Sequence, residues 1–179
     1  MMIKFKLLYL AGMVATAATL NAIALPTFSQ DRSNQVTFLC RQVLDPAIGE
    51  KRPATVAWVP ERKSHVLIVG WKSDYVPKWN PEKRCQTVTP KFQAAYDSGR
   101  LNYLAVGEVN NNQVICAIAD LGEECNNNNQ LFTIKYQDNP NVVFSGSAGS
   151  LTREGRTYLQ FNQLLQKAPL VPEESISAK

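Results

Sequence analysis

The stretch NPEKRCQTVTPKFQAAYDSG, residues 80–99, decides the fold class. Asn80 followed by Pro81 is a helix start: a capping side chain, then a proline where a missing N–H does no harm. Cys85, Val88, Phe92 and Tyr96 recur at spacings of three, four and four, which draws one apolar stripe with the period of a helix. Gly99 supplies a C-terminal cap. Pro90 lies inside the stripe. Either the helix kinks there, or Thr89-Pro90 caps a second helix and the stripe is shared.

The segments on both sides read as strands. Upstream, residues 36–42, 54–59 and 65–71 are β-rich, and the last two are joined by the short charged connection 60–64, which implies an antiparallel hairpin. Residues 45–53 read as a turn between the first two. Downstream, residues 101–109 and 114–119 flank Asn110-Asn111-Asn112, a turn because asparagine tolerates positive φ. Residues 131–136 form a further strand. Tyr158-Leu159-Gln160-Phe161 is either a strand or the start of a helix ending before Pro169. The expectation is a single α+β domain: a mainly antiparallel sheet of five to six strands, one helix (kinked or not) packed on it, and a short C-terminal segment. It should occupy residues 36–168, after a linker at 25–35 and before a tail at 169–179.

The first residues address the chain. Lys4 and Lys6 precede an apolar stretch at 7–20, and Ala22-Ile23-Ala24 then offers small residues ahead of polar Ser29-Gln30-Asp31-Arg32. This is the pattern of a secretory signal peptide over residues 1–24, with Thr27-Phe28-Ser29 a second cleavage site. The competing reading is a membrane anchor, but Gly12, Thr16, Thr19 and Asn21 dilute a stretch already short for a span. No second apolar segment of spanning length follows, so no transmembrane span is expected after cleavage. Cleavage leaves about 155 residues, enough for one domain with a real core.

Of 19 basic residues against 15 acidic ones, two basic and no acidic residues lie in the signal, so the mature chain is less basic than its net charge of +4 suggests. No run of Lys or Arg exceeds two residues, which argues against nucleic acid as a partner and against strong electrostatic membrane binding. Cys40, Cys85, Cys116 and Cys125 are the whole cysteine inventory. In an exported chain four cysteines read as two disulfides with three connectivities, among which sequence does not choose. The expected pairing is Cys116–Cys125, closing a small loop between strands, and Cys40–Cys85, tying the first strand to the helix. A zinc or redox site is the alternative, but there is no C-x-x-C, and His65 is the sole histidine, which rules out a Cys2His2 site.

The motifs of catalysis are missing. A Ser-His-Asp mechanism would need His65 beside a nucleophile, yet it begins a strand after a charged turn. Asp120, Glu123 and Glu124 are the densest acids, but one loop rarely supplies both sides of a carboxylate pair. Their loop, with its asparagines, has hard oxygen ligands for calcium but fails the EF-hand pattern. There is no phosphate-binding glycine loop and no nucleophile elbow, and neither a cofactor nor a metal is expected. Two residues are candidates for binding. Arg84 could hold an anionic partner bidentately, or else pair with an acid such as Glu82 or with backbone carbonyls. Trp79, in a loop after Pro77-Lys78, is a candidate exposed anchor for a partner or a membrane interface, whereas Trp58 and Trp71 sit on strands that should pair, so that one or both fill the core.

One ordered set of residues carries a resemblance. Phe38-Leu39-Cys40, Pro53-Ala54-Thr55-Val56 and Ile68-Val69-Gly70-Trp71 come first. They are followed by residues 81–88, Lys91-Phe92-Gln93, Gly99-Arg100-Leu101, Tyr103-Leu104, Gly107-Glu108-Val109-Asn110 and Val114-Ile115-Cys116. Together they resemble the cyanobacterial circadian oscillating polypeptide domain, a family of exported or membrane-peripheral proteins, over residues 36–136 with a looser extension to 165. The resemblance implies attachment to a membrane surface and supplies no catalytic residues. It does not imply a clock component, because rhythmic abundance is a property of expression and not of a fold. The reading is a non-catalytic, disulfide-stabilised, extracytoplasmic protein of the periplasm, thylakoid lumen or medium, peripheral to a membrane and acting on an unknown partner. The rivals are a small hydrolase-like extracytoplasmic enzyme and an inhibitor module using the loop at 126–129.

Overall fold

The computed structural model describes residues 34–45, 48–71, 79–134 and 149–177. The signal peptide and nearly all of the linker expected from sequence lie outside the described residues.

One helix, α1 (Pro81–Asp97), covers the whole stretch from the asparagine cap to Asp97, and the Oδ1 of Asn80 accepts the Lys83 N–H at 2.8 Å. Pro90 does not split it. The proline sits on the exposed side, while the turns before and after it are pinned to the core. Cys85 is bonded to Cys40, the Thr89 hydroxyl lies 2.8 Å from that of Thr55, and Phe92 is fully buried. These contacts hold both halves on one axis against the hydrogen bond that proline removes.

Three strands precede α1: β1 (Thr37–Asp45), β2 (Glu50–Val59) and β3 (Ser64–Gly70). After it come β4 (Tyr103–Val109), β5 (Asn112–Ile118), β6 (Gln130–Thr133), β7 (Ser150–Arg153) and β8 (Arg156–Gln160). The chain ends in α2 (Phe161–Lys167), β9 (Leu170–Val171) and β10 (Ile176–Ser177). The α+β class is as expected, but the strands divide into two antiparallel sheets, ordered β10-β1-β2-β3-β9 and β6-β5-β4-β8-β7. Strands β1–β3 pair among themselves and so do β4–β8, while β9 and β10 return to flank the first sheet, which makes the helix the seam between two sheets rather than a cover on one. Tyr158, Leu159 and Gln160 belong to β8 and Phe161 opens α2, so both readings of that stretch are realised in succession. Residues 170–177, read from sequence as a tail, pair with β3 and β1.

Turn chemistry sets the registers. Asn110 and Asn111 both take positive φ, 51° and 59°, between the paired Val109 and Asn112. That is the primed two-residue hairpin, whose twist matches the strands. The core lies where both sheets meet α1 and α2. Phe38 of β1 stacks on Phe92 of α1 at 5.8 Å and meets Phe161 of α2 at 5.9 Å. Phe132 of β6 packs edge-on against Trp71 at 5.2 Å. Burying each such ring contributes about 2 to 3 kcal/mol.

Two disulfides join Cys40 to Cys85 and Cys116 to Cys125. By loop closure over sequence separations of 45 and 9 residues, they stabilise the fold by about 4 and about 3 kcal/mol. The second bond is seated on Gly107. A Cβ added there would stand 2.5 Å from the Cys125 Sγ and 2.7 Å from its Cβ, so only glycine lets the loop lie this close to β4.

Candidate functional site

Trp79 stands one residue ahead of the Asn80 cap of α1, and there it is 39% exposed. The Lys83 Nζ stands 4.9 Å from the centre of its ring, a cation–π contact that holds the indole at the surface. Arg84 lies on the next position, its guanidinium 4.8 Å over the ring of buried Trp71. The side chain therefore caps the core with its flat face, one of the structural roles open to a guanidinium. Glu82 accepts hydrogen bonds from Gln42 at 2.7 Å and from Gln86 at 2.8 Å.

Trp79 and Arg84 line one groove. Its helical wall is the stripe Arg84, Thr87, Val88 and Lys91, and its other wall is β6 with Asn112. This part encloses about 410 Å³. A second part, about 280 Å³, continues between Ala94 and Ala95 of α1, with Ser98 at its C-terminal cap, and the asparagines at 127–129. Lys91, Gln130 and Leu131 border both parts, so the groove runs along most of α1. Its floor is apolar, with Val88 and Leu131 nearly buried, and Lys91 is exposed at the midpoint. It presents an aromatic at one end, cations along one wall and amides along the other.

The asparagine wall is built by its own hydrogen bonds. Asn126 Oδ1 accepts the N–H groups of Asn128 and Asn129, at 2.8 and 3.3 Å. Asn129 Oδ1 accepts the Asn126 N–H at 2.8 Å, and its Nδ2 donates to the Glu124 carbonyl at 2.9 Å. Asn129 is buried by these contacts. Side chain-to-backbone bonds of this kind fix a loop without regular structure.

The other sequence candidates lie apart from the groove. His65 Nδ1 is 3.1 Å from Glu173 Oε1, and its ring meets Trp58 edge-on at 5.2 Å. Glu123 is paired with Arg100 and accepts the Ala119 N–H at 3.1 Å. Glu108, Glu123, Glu124 and Arg156 line a separate cleft of about 520 Å³ around Cys125, where Gln113 Oε1 is buried without a hydrogen-bond partner among the described residues. Asp120 lies in another hollow beside Tyr103 and Arg153. Among the described residues no group of three or more His, Cys, Asp or Glu side chains is placed to hold a metal ion. No helix among them is long and apolar enough to cross a membrane. Burial raises the Tyr96 phenol above its ordinary pKa, and the charges of Glu61 and Asp97 add to the shift.

Lys91 and the wall formed by β6 were not singled out by sequence reasoning. The polar stripe Arg84, Thr87, Lys91 has helical spacing, a signal that the stronger apolar stripe on the same helix masked. Comparison with curated proteins and with solved structures finds no match. The model of one family, the circadian oscillating protein COP23, does match, over residues 37–167. Those residues run from the start of β1 to the end of α2 and hold both disulfides, Trp79, Arg84 and the whole groove. The chain belongs to the circadian oscillating protein COP23 family.

Proposed function

We propose that this chain is a non-catalytic, exported binding domain, stabilised by its two disulfides, that works at the periphery of a membrane and takes its partner in the groove along α1. The observation that carries the reading is that exposed Trp79 lines the same groove as Arg84 and Lys91. An exposed aromatic beside cations has the composition of an anchor site. The extracytoplasmic location is supported by the paired cysteines, which persist in oxidising compartments. The enzyme reading draws less support, since the residues lining the Trp79 part of the groove include no acid and the clustered glutamates line a different cleft. An inhibitor loop also fits less well, because Asn127 and Asn128 serve as a wall beside α1.

The test uses the protein expressed in its own cells with a photo-crosslinking side chain at Thr87, which is exposed on the helical wall. The expected result is a discrete crosslinked adduct in the membrane or extracytoplasmic fraction, lost in Trp79→Ala. An adduct unchanged by Trp79→Ala, or none at all, would overturn the reading.

A further inference from the structure

We infer that the Cys116–Cys125 bond is a dithiol-operated switch on the asparagine wall of the groove, a step whose effect on binding rests on the reading above. The two disulfides are placed differently. Cys40–Cys85 joins β1 to α1 within the principal core, where Cys85 is fully buried in the cluster that holds Phe92. Cys116–Cys125 belongs to a smaller cluster on the other face of the second sheet, with Ala105, Ile118 and Tyr158. Its two cysteines are also unequal. Cys116 is fully buried in β5, whereas Cys125 is partly exposed and lines the open cleft of about 520 Å³.

Access decides which sulfur is attacked. A thiolate entering the cleft bonds to the Cys125 Sγ and expels Cys116 as a thiolate, which takes up a proton. The second thiol of the reductant then attacks the reductant's own sulfur in that mixed disulfide and expels Cys125 in the same way. Two electrons and two protons pass to the cysteines, and the dithiol leaves as a disulfide.

Once the bond is cut, the two sulfurs must part from bonding distance to ordinary contact. Cys116 is held within β5, and Gly107 lies directly against Cys125, whose Sγ would be 2.5 Å from an added Cβ. The way open to Cys125 is outward, into the cleft. Both of its chain neighbours build the asparagine wall. Asn126 Oδ1 accepts the Asn128 and Asn129 N–H groups, and the Glu124 carbonyl accepts from Asn129 Nδ2. Asn129 is itself fastened to β5, its carbonyl accepting the Ala117 N–H at 2.9 Å. Outward movement of Cys125 therefore draws Glu124 and Asn126 away from a fixed Asn129, and the wall loosens where it borders the groove. The loop stays within reach for reoxidation, because Asn102 Nδ2 donates to the Ala119 carbonyl at 3.0 Å and Arg100 pairs with Glu123.

The mature oxidised protein is treated with limiting glutathione or dithiothreitol, quenched with iodoacetamide and mapped by peptide mass spectrometry. Glutathione should be found on Cys125, with Cys116 alkylated. Dithiothreitol should open Cys116–Cys125 at least about tenfold faster than Cys40–Cys85. In the singly reduced protein, amide exchange should quicken at Asn126 and Asn128 and hold steady at Phe92. Gly107→Ala crowds the oxidised form alone, so it should move the reduction equilibrium of this bond about 5- to 30-fold toward the thiols. Glutathione on Cys116, earlier opening of Cys40–Cys85, unchanged exchange at Asn126 and Asn128, or an equilibrium indifferent to Gly107→Ala would each overturn the proposal. These readouts need no ligand. If they come out as expected while Thr87 gives no Trp79-dependent adduct in either redox state, the switch stands and the binding reading falls. Where the adduct forms, reduction should weaken it. An adduct that reduction leaves undiminished would overturn the proposal and leave the binding reading standing.

Discussion

Gly107→Ala tests how closely the Cys116–Cys125 loop is fitted to its sheet. The added methyl would stand 2.5 Å from Sγ and 2.7 Å from Cβ of Cys125, well inside van der Waals contact. Cys125 cannot retreat freely, since its sulfur is bonded to fully buried Cys116 on β5 and its loop is tied down through Asn129. Strand or loop must shift, an overpacking cost of about 1 to 3 kcal/mol. Against this runs the ordinary gain of about 0.5 to 1 kcal/mol for alanine over glycine in a strand. The net expectation is a loss of about 1 to 2 kcal/mol, or about 2 to 8 °C in Tm for a domain of this size. The assay is urea unfolding of the oxidised protein, read as a midpoint change at constant slope. The same substitution in a Cys116→Ala/Cys125→Gly background meets neither atom and should be neutral or stabilising. An equal loss in both backgrounds would refute the steric account.

Two further outcomes follow from the core and the helix. Thr55 is fully buried, with its hydroxyl accepting from Trp71 Nε1 at 3.2 Å and lying 2.8 Å from the Thr89 hydroxyl. Thr55→Val keeps the shape and strands both partners, so urea unfolding should show a loss of about 2 kcal/mol, and a change under about 0.5 would refute the network. Tyr96 titrates above its usual value because burial, then Glu61 and Asp97, disfavours the phenolate. The fold then binds the neutral form better: the stabilisation is whole below the unfolded pKa near 10 and is lost as pH rises through the folded value. Unfolding midpoints should fall across this alkaline window, and the fall should be shallower in Tyr96→Phe.

The helix was legible because its signals are local: Asn80-Pro81, a stripe through Cys85, Val88 and Phe92, and Gly99. The β4–β5 hairpin was equally plain in Asn110-Asn111. The division into two sheets was not, because it depends on which strands meet across α1. Ser150-Leu151-Thr152-Arg153 and the two-residue β9 and β10 are too short to show a period. Trp79 and Arg84 stood out by residue type and position. Their shared groove did not, since its second wall, Gln130 to Thr133, lies about fifty residues away and takes its place only through the strand order of its sheet.

The C-terminal strands give the first sheet an unusual dependency. β9 borders β3 on one side, and β10 borders β1 on the other. Both outer rails of that sheet therefore belong to one covalent segment eight residues long, Leu170–Ser177. A single proteolytic cut after Ala168 would unzip two borders at once and leave β1 and β3 exposed to other chains. The integrity of the entire first sheet is thus vested in a segment whose own strands are two residues each.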